Sequence, residues 1–303
     1  MIKNLSDIIN ELKLNEKVKL AVAAAQDEEV LCAVVEAMNM NIIEPILIGK
    51  IDKIKEIAKN LNLNLNNVNM IEASTYEGCA QIAVKLVSSK KADFLMKGIL
   101  DTSILLKEVL NKDYGLRTDS LLSHVMIYDI PSYHKLLMLT DGGMNINPSY
   151  EHKEKIVENA IKACKPLKIE NIKVAALAAK EKVDSKMQAT VDAKKLQESS
   201  ENKRFGENVI LEGPLALDLA ISSESARIKG IESKVSGDVD ILLVPTIEVG
   251  NGIGKSLTYF AGAKSAGVVM GAKAPIVLVS RADTHESKLY SIAYGALIAM
   301  LEK

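Results

Sequence analysis

The sequence predicts an α/β fold of two domains built on mainly parallel sheets, and three observations carry that expectation. Short runs rich in Val, Ile and Leu alternate with longer stretches of helical period, the signature of repeated β-α units. A length of 303 residues corresponds to about two domains at roughly 150 residues each. A composition of 48% hydrophobic and 25% charged residues is that of a globular chain able to bury a large core.

The start, MIKNLSDIINELKLNEK, reads as an amphipathic charged helix without the apolar centre of a signal peptide. VKLAVAA at 18–24 is the first strand, followed by a helix over 27–40 with Asp27 as its N-cap. PILIG at 45–49 and ADFLM at 92–96 are strands, with helical patterns at 50–60, 76–88 and 102–110. HVMIY at 124–128 and KLLMLT at 135–140 follow as strands, and a helix is expected over 151–166. KVAALA at 173–178 precedes a polar stretch, 188–206, that reads as an exposed helix over 189–199 and a loop. A helix over 214–222, a strand VDILLV at 239–244 and a helix over 254–266 come next. GVVMG at 267–271 and PIVLVS at 275–280 are the last strands, and an apolar helix over 284–302 closes the chain. The Gly, Asn and Pro cluster GGMNINPSY after Asp141 marks a break. The final helix is apolar enough to pack on a sheet and is expected to return to the first domain. The expected division is therefore 1–140 with 262–303 as one domain and 141–261 as the other.

Lys and Arg number 38 against 39 Asp and Glu, a net charge of -1, so no general field attracts nucleic acid or an anionic membrane. Aromatic residues are only 4%, with no Trp, which argues against base-stacking platforms. No apolar stretch approaches the roughly 20 residues that cross a bilayer, and a cytoplasmic protein is expected. Cys32, Cys79 and Cys164 form no C-x-x-C, and His124, His134, His152 and His285 show no ligand spacing, so neither a disulfide framework nor a metal site is predicted.

In open parallel sheets, ligands bind beyond the carboxyl ends of the strands. The residues that follow the expected strands are Gln26 and Asp27, Lys97 and Gly98, Thr140 and Asp141, 245–251, and Ser280 with Arg281. Singly they read as caps and turn formers; together they point to a polar cleft. The stretch GNGIGKS, 250–256, invites a nucleotide-binding reading, but Val249 stands where a Walker A loop needs its first glycine. Leu257 likewise occupies the last glycine of a dinucleotide fingerprint. What survives is a glycine-rich turn whose N–H groups, the following helix start and Lys255 could hold a phosphate; a plain strand-to-helix turn fits equally well. SRADTHESK, 280–288, places a hydroxyl, a guanidinium, two carboxylates and an imidazole after a buried strand. Its conformational reading makes Thr284 an N-cap, Asp283 and Glu286 first-turn acids and Arg281 a surface ion pair. Its functional reading has Arg281 holding a phosphoryl or acyl oxygen while a neighbouring carboxylate or imidazole moves a proton.

These stretches resemble the phosphate acetyltransferase and phosphate butyryltransferase family, nearest its butyryltransferase branch. The resemblance runs through LAVAAAQDEEVL from Leu20, ADFLMKGILDT from Ala92, VLNKDYGLRT from Val109 and LLMLTDGGMNINP from Leu136. It continues through EGPLALDLAIS from Glu212, VDILLVPTIEVGN from Val239 and APIVLVSRADTHESK from Ala274. It implies the two-domain fold of isocitrate and isopropylmalate dehydrogenases, mainly parallel sheets with helices on both faces and an interdomain cleft. It implies reversible transfer between acyl-CoA with phosphate and acyl phosphate with CoA, no tightly bound cofactor, and a homodimer or larger homo-oligomer. Ser280 would stabilise the transition state and Arg281 bind phosphate or the acyl oxygen. The catalytic aspartate that the acetyltransferase branch carries seven residues beyond the serine is Ser287 here, so the base is sought among Glu286, Asp283 and His285, in that order. Lys97, Arg117, Asp141, Glu248, Gly250, Asn251 and Lys255 are the substrate-binding candidates. Alternatives are a phosphate acetyltransferase, a nucleotide-dependent kinase or dehydrogenase, and a non-catalytic two-domain ligand-binding protein.

Overall fold

The computed structural model describes residues 1–280 and 283–301. In chain order the elements are α1 (Leu5–Leu12), β1 (Val18–Ala23), α2 (Glu28–Asn39), β2 (Ile43–Gly49), α3 (Ile51–Asn60), β3 (Asn69–Glu72), α4 (Tyr76–Ser88), β4 (Phe94–Lys97) and α5 (Thr102–Val109). They continue with β5 (Ser123–Asp129), β6 (Leu137–Thr140), α6 (Tyr150–Cys164), β7 (Ile172–Leu177), α7 (Gln188–Glu201), β8 (Val209–Leu215), α8 (Leu217–Ile221) and α9 (Ser223–Ile228). Last come β9 (Ile241–Leu243), α10 (Ile247–Tyr259), β10 (Lys264–Met270), β11 (Ile276–Val277) and α11 (His285–Leu301).

Two compact units emerge: a split unit, Leu5–Ser120 with Ser265–Lys303, and a middle unit, Met1–Asn4 with Leu121–Lys264. The strands β5 and β6, expected in the first domain, belong to the middle unit, because Leu137–Thr140 pairs antiparallel with β5 and parallel with β9. The ladder, and not the turn after Asp141, therefore decides their membership.

In the split unit the strand order is β3-β2-β1-β4-β11-β10. All neighbours are parallel except β10 and β11. The inner strands β1, β2 and β4 are near-continuous apolar runs because a parallel sheet is covered on both faces. α11 packs along α2 and against β1, β4 and β11. A Cβ on its Gly295 would lie 2.8 Å from Val277 Cγ2 and 3.1 Å from Phe94, so glycine sets how closely helix and sheet approach. The middle unit has the order β5-β6-β9-β7-β8, parallel from β6 onward. Its core gathers Tyr128, Leu137, Leu139, Leu177, Leu215, Leu219 and Leu242.

Several expectations need correction. β3 and β8 were not foreseen, and the helix expected over 214–222 is a strand end followed by the short α8. The helix expected over 254–266 starts earlier and stops at Tyr259; Gly262 takes a φ of +64° and β10 begins at Lys264. β11 covers two residues, Ile276–Val277, where 275–280 were expected.

Candidate active site

The carboxyl ends of the split unit's strands build one group of candidates. β1 leads into Gln26 and Asp27, and Asp27 Oδ1 accepts the Val30 N–H at 2.9 Å, which is the N-cap role. β4 ends at Lys97, only 5% exposed. Its Nζ donates to the carbonyls of Gly98 at 3.1 Å and Leu100 at 3.2 Å, so the ammonium is solvated by its own loop where water is excluded. The next residue must be glycine, because a Cβ at Gly98 would fall 2.1 Å from the Ala24 carbonyl oxygen. Arg117 is exposed on the segment after α5.

After β11, Ser280 and Asp283 are joined by two hydrogen bonds. The Ser280 N–H donates to Asp283 Oδ2 at 2.8 Å, and the Asp283 N–H donates back to the Ser280 carbonyl at 3.1 Å. Lys288 Nζ donates to the Asp283 carbonyl. Thr284 Oγ1 accepts the Ser287 N–H at 3.2 Å and so caps α11. Arg281 lies outside the described residues. Of the three base candidates, Asp283 has an oxygen engaged by the Ser280 N–H. His285 Nε2 stands 2.7 Å from Glu36 Oε2 on α2, an ion-pair distance whose angle falls outside hydrogen-bond geometry. Glu286 is exposed in the first turn of α11.

The middle unit holds the other candidates. Asp141 is 2% exposed. It accepts the N–H groups of Gly143 at 2.8 Å, Met144 at 3.0 Å and Asn145 at 3.3 Å, and the Asn145 side-chain amide at 2.6 Å. The carboxylate thus organises the turn 141–145. The glycine-rich turn expected at 250–256 is instead the interior of α10. Helical hydrogen bonds occupy its N–H groups, so the turn-type phosphate cradle is absent there. The glycines answer to packing: a Cβ at Gly250 would lie 2.6 Å from Gly142 Cα, and one at Gly254 would lie 2.5 Å from the Tyr128 hydroxyl. Glu248 sits in the first turn of α10, where hydrogen bonds from its own N–H and from Thr246 pull its carboxyl below the ordinary range. Asn251 and Lys255 are exposed, and Lys255 Nζ lies 6.0 Å from the centre of the Tyr259 ring.

Sequence reasoning missed Glu36 and Asn145. Glu36 is one acid on an amphipathic helix with no local signal of its partner. Asn145 lies four residues beyond Asp141, outside the two-residue Asx-turn spacing that Gly143 occupies, and so carried no local signal. The thiols are not poised nucleophiles: burial raises the pKa of Cys164, Cys79 and Cys32, with nearby glutamates adding to the effect at Cys32. Among the described residues no group of three or more His, Cys, Asp and Glu could hold a metal ion, and no helix is long and apolar enough to cross a membrane.

In the split unit a mainly parallel α/β frame places a buried lysine at the end of β4 and, three residues beyond β11, a serine ahead of an acid-bearing helix start. The family model described as phosphate acetyl/butaryl transferase matches residues 4–82 and 78–296. The phosphate butyryltransferase of Clostridium acetobutylicum is 42% identical over 99% of both chains. The phosphate acetyltransferase of Thermotoga maritima is 40% identical over 93% of this chain and 95% of its own. The crystal structure of a branched-chain phosphotransacylase from Enterococcus faecalis superposes with a TM-score of 0.82 at 35% identity, covering 93% of this chain and 99% of that one. The chain belongs to the phosphate acetyl/butyryl transferase family and is a phosphate acyltransferase.

Proposed function

We propose that this enzyme interconverts butyryl-CoA plus phosphate with butyryl phosphate plus CoA, at residues of the 280–288 segment. The observation that supports it is the pair of hydrogen bonds between Ser280 and Asp283, which ties the backbone of Ser280 to the residues that lead into α11 and its exposed Glu286. In the thiolysis direction the acyl phosphate carbonyl is already activated by its leaving group, and the task is to make a thiolate. At a thiol pKa of about 8.5 only a few per cent is ionised at neutral pH, so a placed base contributes roughly 10²–10⁴-fold. Glu286, exposed in the first turn of α11, takes the thiol proton. The thiolate attacks the carbonyl, Ser280 and Arg281 stabilise the tetrahedral oxyanion, and phosphate departs with the electron pair. Arg281, with Lys97 or Arg117, binds the phosphate. Transfer is direct, in a ternary complex, since burial keeps the cysteine thiols protonated.

CoA is a substrate on this reading and no cofactor is tightly held; the working form is a cytoplasmic homodimer or larger. Relative turnover of acetyl-, propionyl-, butyryl- and valeryl-CoA tests the acyl chain, with a maximum at butyryl expected and a maximum at acetyl overturning it. Initial rates with both substrates varied should give intersecting lines. Parallel lines would establish an acyl-enzyme instead.

A further inference from the structure

We propose that Glu36 is a positioning residue for acyl transfer, acting through His285 to fix the first turn of α11 and with it the carboxylate of Glu286. The proposal rests on the reading of Glu286 given above. From Lys288 to Ala299 every residue of α11 is buried, so the body of the helix is immobilised by packing. The first turn is different: His285, Glu286 and Ser287 are partly or fully exposed. The contacts that hold it include the Thr284 cap and the approach of His285 Nε2 to Glu36 Oε2 at 2.7 Å.

At 2.7 Å the imidazole and the carboxylate are in direct contact. The ring of His285 is thereby directed at α2, away from the role of base. α2 is itself a firm support, capped by Asp27 and packed along α11. The side chains of the pair are 40% and 36% exposed, so its worth to global stability is small. Its worth to catalysis is larger, because misplacing a catalytic group by about 1 Å can cost on the order of 100-fold.

The test uses Glu36→Ala, His285→Ala, both together, and the exchange Glu36→His with His285→Glu, assayed with butyryl phosphate and CoA beside thermal unfolding. Each single change should lower kcat about tenfold and leave KM for butyryl phosphate within about twofold, with the melting temperature little changed. The double variant should be no worse than either single one, and the exchange should recover turnover. Glu286→Gln is measured alongside. If it loses turnover while the Glu36 and His285 variants keep theirs, the positioning role is overturned and the role of Glu286 stands. If Glu286→Gln is fully active, the reading beneath the proposal has failed. A fall in kcat that follows loss of folded protein would reduce the pair to a structural contact and overturn the proposal as well.

Discussion

Alanine at Gly250 and at Gly252 should have opposite effects, although the two positions lie two residues apart on α10. Glycine inside a helix costs about 1 kcal/mol relative to alanine, so on propensity alone both changes would stabilise. At Gly252 nothing lies within 4 Å of the added Cβ, and the full gain of roughly 0.5–1 kcal/mol is expected. At Gly250 the Cβ would meet Gly142 Cα at 2.6 Å, Val244 Cγ2 at 2.9 Å and the Asp141 carbonyl at 3.1 Å. Carbon atoms rest about 3.5–4.0 Å apart, so the helix would have to move about 1 Å against backbone that cannot fold away. Overpacking of this kind costs about 1–3 kcal/mol, which matches or exceeds the propensity gain. At roughly 2–4 °C per kcal/mol for a unit of this size, Gly252→Ala should raise the melting temperature by a few degrees. Gly250→Ala should lower it or at best leave it unchanged, and should disturb the Asp141 turn. Circular dichroism melts and KM for phosphate supply the readout. Equal stabilisation by both would refute the packing argument, and a raised KM for phosphate in Gly252→Ala would restore the phosphate-binding turn.

Two other perturbations follow from buried and partly buried charge. Lys153 and Asp192 are almost fully buried, with Nζ 2.6 Å from Oδ2. Lys153→Met should therefore cost about 3–5 kcal/mol by stranding a carboxylate, whereas Lys153→Met with Asp192→Leu should recover most of it; denaturant titration of both decides. At Asp238 burial acts to raise the carboxyl pKa, but Lys135, Lys173 and His134 hydrogen-bond to it and carry it well below the ordinary range. A depressed pKa gives stability that is present above the unfolded value of about 3.9 and is lost as pH falls through and below it. Melting temperature against pH should therefore drop less steeply below about pH 4 in Asp238→Asn than in the native chain, and parallel curves would contradict the assignment.

The strands of the parallel sheets were legible because burial on both faces writes them as uninterrupted apolar runs, as in VKLAVA and FLMK. β3 was not, because Asn69–Glu72 is an edge strand whose four residues are all at least partly exposed and which lies among asparagines. β8 was obscured by Pro214, which reads as the first residue of a helix but sits near the end of a strand. The glycines of α10 misled for the same reason in reverse. Glycine in sequence signals a turn, whereas Gly250 and Gly254 serve close approach to residues of β5 and the turn after β6, a partnership set by tertiary structure. The cap roles of Asp27 and Thr284 were readable because caps are local. The pairing of His285 with Glu36 was not, since it joins two helices from opposite ends of the chain.

The order in which the split unit receives its strands bears on how the chain is made. β4 has β1 on one side and β11 on the other, and β11 is separated from it by the whole middle unit in sequence. During synthesis the first half of the split unit therefore emerges with an open, apolar strand edge. The vulnerable interval ends only when β11 and α11 have left the ribosome and closed that edge. Truncation within the last forty or so residues would prolong that exposure indefinitely, so loss of a short C-terminal stretch should show itself first as aggregation of the N-terminal half, even though the deleted residues are far from it in sequence.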